Sequence, residues 1–149
     1  MEEENVIRKI KNLYSGLHGL FQDDYAYRLP SDVSRVEGRF LGYISENQIK
    51  GIISSDLVRD FHLKKSTVSE TLNGLEEKGF ILFAKTKEDG RKKTIVLAPK
   101  GMEHEKNAAP VMKDFDESIE NILNDEEKAQ FDAIYQKLMS GIAERSSKK

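Results

Sequence analysis

The sequence predicts a mainly α-helical chain interrupted by one small β-hairpin. Three observations carry this. Apolar residues recur at helical spacing in both halves of the chain. Two such patterns, at about residues 54–61 and 65–78, stand three residues apart. Two β-rich segments with a basic tip between them follow at once. Helix, short turn, helix and hairpin in that order make a winged helix-turn-helix. The chain reads as a single domain, 1–149. The module lies at about 31–98, between dimerisation helices at about 3–22 and 99–146.

Taken in order, Val6, Ile10, Leu13, Leu17 and Leu20 alternate by four and three, a heptad-like stripe. Leu29-Pro30 interrupts the chain before a second helix at about 31–47, whose apolar face is Val36, Phe40, Leu41 and Ile44. Gly51 then breaks the pattern, and Ile52-Ile53 is placed to pair with the hairpin. The helix at 54–61 has Ser54 or Ser55 to cap it and an apolar side of Leu57, Val58 and Phe61. His62-Leu63-Lys64 is the turn. In the helix at 65–78, Val68, Leu72 and Leu75 share one face, and Gly79 supplies a left-handed stop.

Strands are expected at 80–86 and 94–98, joined through the turn signal Asp89-Gly90. Pro99 suits a first helical position, and Pro110 should bend the long helix it opens. Met112, Phe115, Ile119 and Ile122 continue that stripe. Asn124-Asp125 caps a last helix, with Phe131, Ile134, Tyr135, Leu138 and Ile142 on one side. Residues 146–149 read as a frayed tail.

The outer face of the helix at 65–78 holds Ser66, Thr67, Ser69, Glu70, Asn73 and Glu77. Short hydroxyls and an amide reach base edges without blocking close approach to a major groove. Lys64 and Lys65 stand at its entrance, where phosphates also meet free backbone amides. A solvated face of an ordinary amphipathic helix has the same composition. The hairpin that follows tips the balance, since Lys85, Lys87, Arg91, Lys92 and Lys93 crowd its tip and flanks. A narrow ribbon bearing arginine fits a minor groove. Charge is segregated accordingly. Residues 50–100 carry eleven Lys/Arg against seven Asp/Glu, whereas residues 102–139 carry four against ten. A net charge of −2 therefore does not exclude a nucleic-acid partner.

In KKSTVSETLNGLEEKGFI and DGRKKTIVLAPKG the chain resembles the MarR family of transcription regulators. The resemblance rests on Leu75, Glu76 and Gly79 at the end of the recognition helix. It rests also on Asp89 and Arg91 in the wing, and on Pro99, Lys100 and Gly101 at the next helix start. It implies that Arg91 enters the minor groove with Asp89 holding it in place. It implies that Ser66, Thr67, Ser69, Glu70 and Asn73 face the major groove. It also implies a homodimer formed through the terminal helices, which agrees with the helical stripes in excess of a small winged domain. Small hydrophobic or phenolic effectors bind such dimers and release DNA. Tyr14, Phe21, Tyr25, Tyr27, Phe40 and Tyr43 are the aromatics available either to line an effector pocket or to fill the core. Two positions depart from the family pattern. Glu70 stands where many members are basic, and Lys64 stands where the helix cap is commonly polar.

The expectation is a repressor that binds double-stranded DNA at a near-palindromic operator, with Lys64, Lys65, Lys87 and Lys92 on phosphates. Competing readings are a protein-docking winged helix and a sequence-tolerant DNA binder. The absence of cysteine rules out disulfides, thiolate metal sites and thiol-based sensing. His18, His62 and His104 lack ligand spacing, and no phosphate loop or nucleophile elbow is present. No enzyme, cofactor or metal is expected. The acidic first residues and the lack of a long apolar run predict a cytoplasmic chain with no membrane partner.

Overall fold

The computed structural model describes residues 3–30, 32–85 and 93–147. Its elements are α1 (Val6–Asp24), α2 (Arg35–Asn47), α3 (Ser54–Phe61), α4 (Lys65–Glu77), β1 (Ile81–Lys85), β2 (Lys93–Leu97), α5 (Pro99–Glu120) and α6 (Asp125–Ser146). Short 3-10 turns at Ala26–Arg28 and Gln48–Lys50 follow α1 and α2. This is a mainly α, winged helix-turn-helix architecture with the hairpin between α4 and α5. The chain forms two compact units, Met1–Val111 and Met112–Lys149, and α5 runs from the first into the second.

In the first unit, the core is Phe40, Leu41 and Ile44 of α2, Leu57 of α3, and Val68, Leu72 and Leu75 of α4. Ile52, Phe80, Ile81, Ile95 and Leu97 complete it from the sheet side. β1 and β2 are antiparallel with Ile81 opposite Leu97, Phe83 opposite Ile95 and Lys85 opposite Lys93. Side chains alternate across a strand, so these six share one face, and its inner members enter the core. Ile52 joins as a one-residue bridge to Ile95, with the Ile95 amide donating to the Ile52 carbonyl at 2.8 Å.

Two helix starts and one helix cap differ from the sequence expectation. The second helix begins at Arg35, because Ser34 and Glu37 close a reciprocal cap: the Glu37 amide donates to Ser34 Oγ and the Ser34 amide to Glu37 Oε1. Its expected start at Ser31 lies outside the described residues. Neither Ser54 nor Ser55 caps α3. Ile53 is the capping position, and Asp56 accepts its amide at 3.0 Å. Nor does the first helix start near residue 3; Asn5 caps it, accepting the Arg8 amide at 2.9 Å. Val36 is exposed rather than apolar core, because Glu37 turns inward to its ion pair and takes the buried place.

Two backbone positions fix the corners. His62 ends α3 in the left-handed region, and Gly79 ends α4 at φ +84°. At Gly79 the Phe80 amide reaches back to the Leu75 carbonyl at 2.9 Å. α5 continues through Pro110 to Glu120. Its first turn lies so close to the hairpin base that a Cβ on Gly101 would stand 2.2 Å from the Phe80 carbonyl oxygen.

In the second unit, Asn124 and Glu127 form another reciprocal cap that starts α6, and Lys128 pairs with Glu120 at 3.3 Å. No residue of α6 is buried, and none of α1 is. Among the described residues no helix is long and apolar enough to cross a membrane.

Candidate nucleic-acid interface

The helix α4 is two-sided. Val68, Leu72 and Leu75 are at most 2% exposed, whereas Lys65, Ser66, Thr67, Ser69, Glu70, Asn73 and Glu77 are all exposed. About 100° of turn per residue places Ser66, Ser69, Glu70 and Asn73 together, opposite the core stripe. Thr67 lies to one side. Its carbonyl accepts the Thr71 hydroxyl at 2.8 Å.

Lys64 is the capping residue of α4, and no side chain caps the helix. Lysine has no acceptor to offer. The amides of the first turn therefore keep their donors for an external acceptor, beside two ammonium groups.

The hairpin stands next to this face. Ser69, Asn73 and Glu76 of α4, Ser54 of α3, and Phe83 and Lys93 of the strands line a shallow concavity of about 280 Å³. Lys85 and Lys93 are cross-strand partners at the outer end of the face that buries Ile81 and Ile95. Two like charges directly opposite cost a hairpin about 0.2–1 kcal/mol. An anion between them would offset that cost. In the sequence both are only flanks of the basic tip. The register of the strands is what sets them opposite each other. The other wing residues, Lys87, Asp89, Arg91 and Lys92, and the Asp89-Gly90 turn, lie outside the described residues.

Polar ties hold the two helices in position. Lys78, just past α4, donates to both oxygens of Glu37 at 2.8 and 3.1 Å, and reaches the Asp32 carbonyl at 3.4 Å. Burial alone would push the Glu37 carboxyl up; Lys78 and Ser34 more than offset that and hold it below the ordinary value. Lys100 donates to the Lys78 carbonyl at 2.9 Å, and its ammonium lies 4.5 Å above the Phe80 ring. At the other end of the helix pair, Asp60 accepts from Tyr43 and Arg59. Arg59 first, and Tyr43 second, hold its carboxyl down at about 2.

Sequence reasoning missed Glu37 and Lys78, because a pair forty-one positions apart leaves no local pattern.

The aromatics of the first third of the chain have separate settings. Phe40 is fully buried, and Tyr43 meets Phe61 edge-on at 5.5 Å. Phe21 and Tyr25 stack at 6.3 Å, while Tyr14 and Tyr27 are 64% and 77% exposed. Among the described residues no three potential metal ligands cluster.

Residues 46–93 match the model of the MarR family. This segment of the chain is therefore similar to the MarR family's winged helix-turn-helix. The MarR family consists of DNA-binding transcription regulators, not enzymes. Its matched segment runs from the end of α2 to the start of β2. It includes all of α3, the turn and α4.

Solved structures of MepR from S. aureus share the fold. A MepR–DNA complex is similar at 24% identity and TM-score 0.76, covering 93% of this chain and 99% of that one. MepR in a DNA-binding conformation is similar at 24% identity and TM-score 0.72, covering 92% and 96%. MepR bound to ethidium bromide is similar at 21% identity and TM-score 0.57, covering 93% and 97%. No curated protein matches by sequence.

Proposed function

We propose that the chain is a homodimeric, sequence-specific repressor that binds a near-palindromic DNA operator and is released by a small hydrophobic or phenolic effector. The observation that carries the reading is the division of α4. Its inner stripe anchors in the core, and its outer stripe of Ser66, Ser69, Glu70 and Asn73 is exposed beside a basic hairpin. A helix held this way can enter a major groove without giving up packing.

The uncapped start of α4, with Lys64 and Lys65, docks a phosphate. Lys85 and Lys93 hold a second phosphate along the path from the major groove to the wing. Arg91 takes the minor groove, with Asp89 positioning it, and Lys87 and Lys92 add phosphate contacts. The structures of MepR with DNA and with ethidium bromide support a DNA partner and a small-molecule effector in a chain of this fold.

Dimerisation is supported by uncovered apolar surface. On α1, Val6, Ile10 and Leu13 are 45–61% exposed. On α6, Phe131, Ile134 and Ile142 are 57–60% exposed. Helices that show apolar stripes of this length bury them in an assembly. A dimer reads two half-sites about 34 Å apart, one helical turn.

Footprinting the DNA that flanks the chain's own gene tests the reading. The expected result is one protected element with two-fold symmetry. Protection that spreads evenly over any DNA supports a sequence-tolerant binder instead. No protection supports a protein-docking winged helix.

A further inference from the structure

We infer that Glu70 sets one base of the operator half-site by accepting a hydrogen bond from the exocyclic amine of a cytosine. The inference rests on the DNA-binding reading above and names one element of its specificity.

Glu70 lies near the centre of the exposed face of α4, about 40° around the helix from Ser66 and about 60° from Asn73. Its side chain is exposed, and among the described residues no hydrogen bond or ion pair holds it. No lysine or arginine stands between Lys65 and Lys78, so no cation of α4 shares its part of the face. A carboxylate carried into a groove walled by phosphates is repelled on both sides. It is compatible with tight binding only where it gains a donor.

An ionised carboxylate accepts and cannot donate. The major groove offers two donors, cytosine N4 and adenine N6. Adenine sets the N7 acceptor next to N6, which opposes a second carboxylate oxygen and suits an amide. Cytosine presents its amine without an acceptor on the same base. Glu70 therefore selects cytosine, and the amide of Asn73, about one turn on, is the group suited to adenine.

The test is selection of duplexes from a randomised pool by the full chain, followed by anisotropy titration of the selected duplex and its single-base variants. The wild-type chain should prefer cytosine at one position of each half-site, by between about 5- and 150-fold. Glu70→Gln should move that preference to adenine and leave the other positions unchanged. Glu70→Ala should flatten it there alone. If both variants keep the wild-type preference at every position, the assignment is overturned. Uniform tightening of all duplexes by Glu70→Ala also overturns it, since Glu70 then only repels phosphate. A wild-type chain that enriches no sequence overturns the DNA reading, and this assignment with it. Because Glu70 is exposed, matched thermal melts should accompany the binding data for all three proteins.

Discussion

Replacing Gly101 by alanine tests how the wing base is built. The added methyl would stand 2.2 Å from the Phe80 carbonyl oxygen and 3.2 Å from Leu97 Cδ2. Contacts below 3.0 Å force a shift, so the first turn of α5 and the hairpin base must part by about 0.8 Å, the difference between 3.0 and 2.2 Å. The carbonyl cannot simply swing aside, because it accepts the Ala98 amide at 2.9 Å. Overpacking of this kind costs about 1–3 kcal/mol, and weakening the hydrogen bond costs about 1 kcal/mol more. The helix preference of alanine over glycine returns roughly 1 kcal/mol. The net loss is about 1–3 kcal/mol. For 149 residues the unfolding entropy is about 0.3 kcal/mol per degree, so the Tm should fall by roughly 3–10 °C. The assay is a thermal melt at fixed protein concentration, since a dimer melts at a concentration-dependent temperature. Gly38→Ala in α2 is the control: its new methyl meets only Val33 Cγ2 at 4.0 Å. It should leave stability unchanged or raise it by up to ~1 kcal/mol. A Gly101→Ala chain that melts within a degree of wild type would refute the close packing of α5 on the hairpin.

Three further outcomes are expected. Glu37→Gln should destabilise the chain by about 1–2 kcal/mol at neutral pH, a figure reduced because Lys78 is partly in water. The Glu37 carboxyl titrates below its ordinary value when folded, so its contribution is full above that value and is lost as pH falls through the folded pKa. Urea melts of wild type and variant should therefore converge in acid; a gap independent of pH would contradict the ion pair. Lys85→Ala and Lys93→Ala should each lower the slope of log affinity against log salt by about 1 without loss of fold stability, and an unchanged slope would remove that lysine from the phosphate path. Ile134→Glu on α6 should give a monomer in sedimentation and weaken DNA binding, whereas a dimer of wild-type affinity would place the interface elsewhere.

Much of this fold is legible in the chain because it rests on local signals. Val68, Leu72 and Leu75 mark the buried side of α4 by spacing, and Gly79 marks its end by conformational freedom. The exposed polar residues of α4 follow from the same period. What spacing cannot give is set at a distance. Glu37 is a charged residue among the apolar positions of α2, and only the fold brings Lys78 to it. Ser54 and Ser55 look like caps, yet Asp56 closes the turn one residue earlier because a carboxylate reaches the Ile53 amide. Lys85 and Lys93 become a pair only once Ile81 stands opposite Leu97. Lys64 was legible as a departure from a polar cap, and the structure keeps it at that position with no cap in its place.

The most direct test of the central claim is anisotropy of the purified chain with DNA from upstream of its own gene, against a scrambled duplex of equal length, at two salt concentrations. Non-specific binding is almost wholly electrostatic and fades with salt, whereas base contacts persist. The account predicts a strong preference for the native duplex that survives the higher salt. Equal affinity for the two duplexes, lost together as salt rises, would contradict a reading helix in α4.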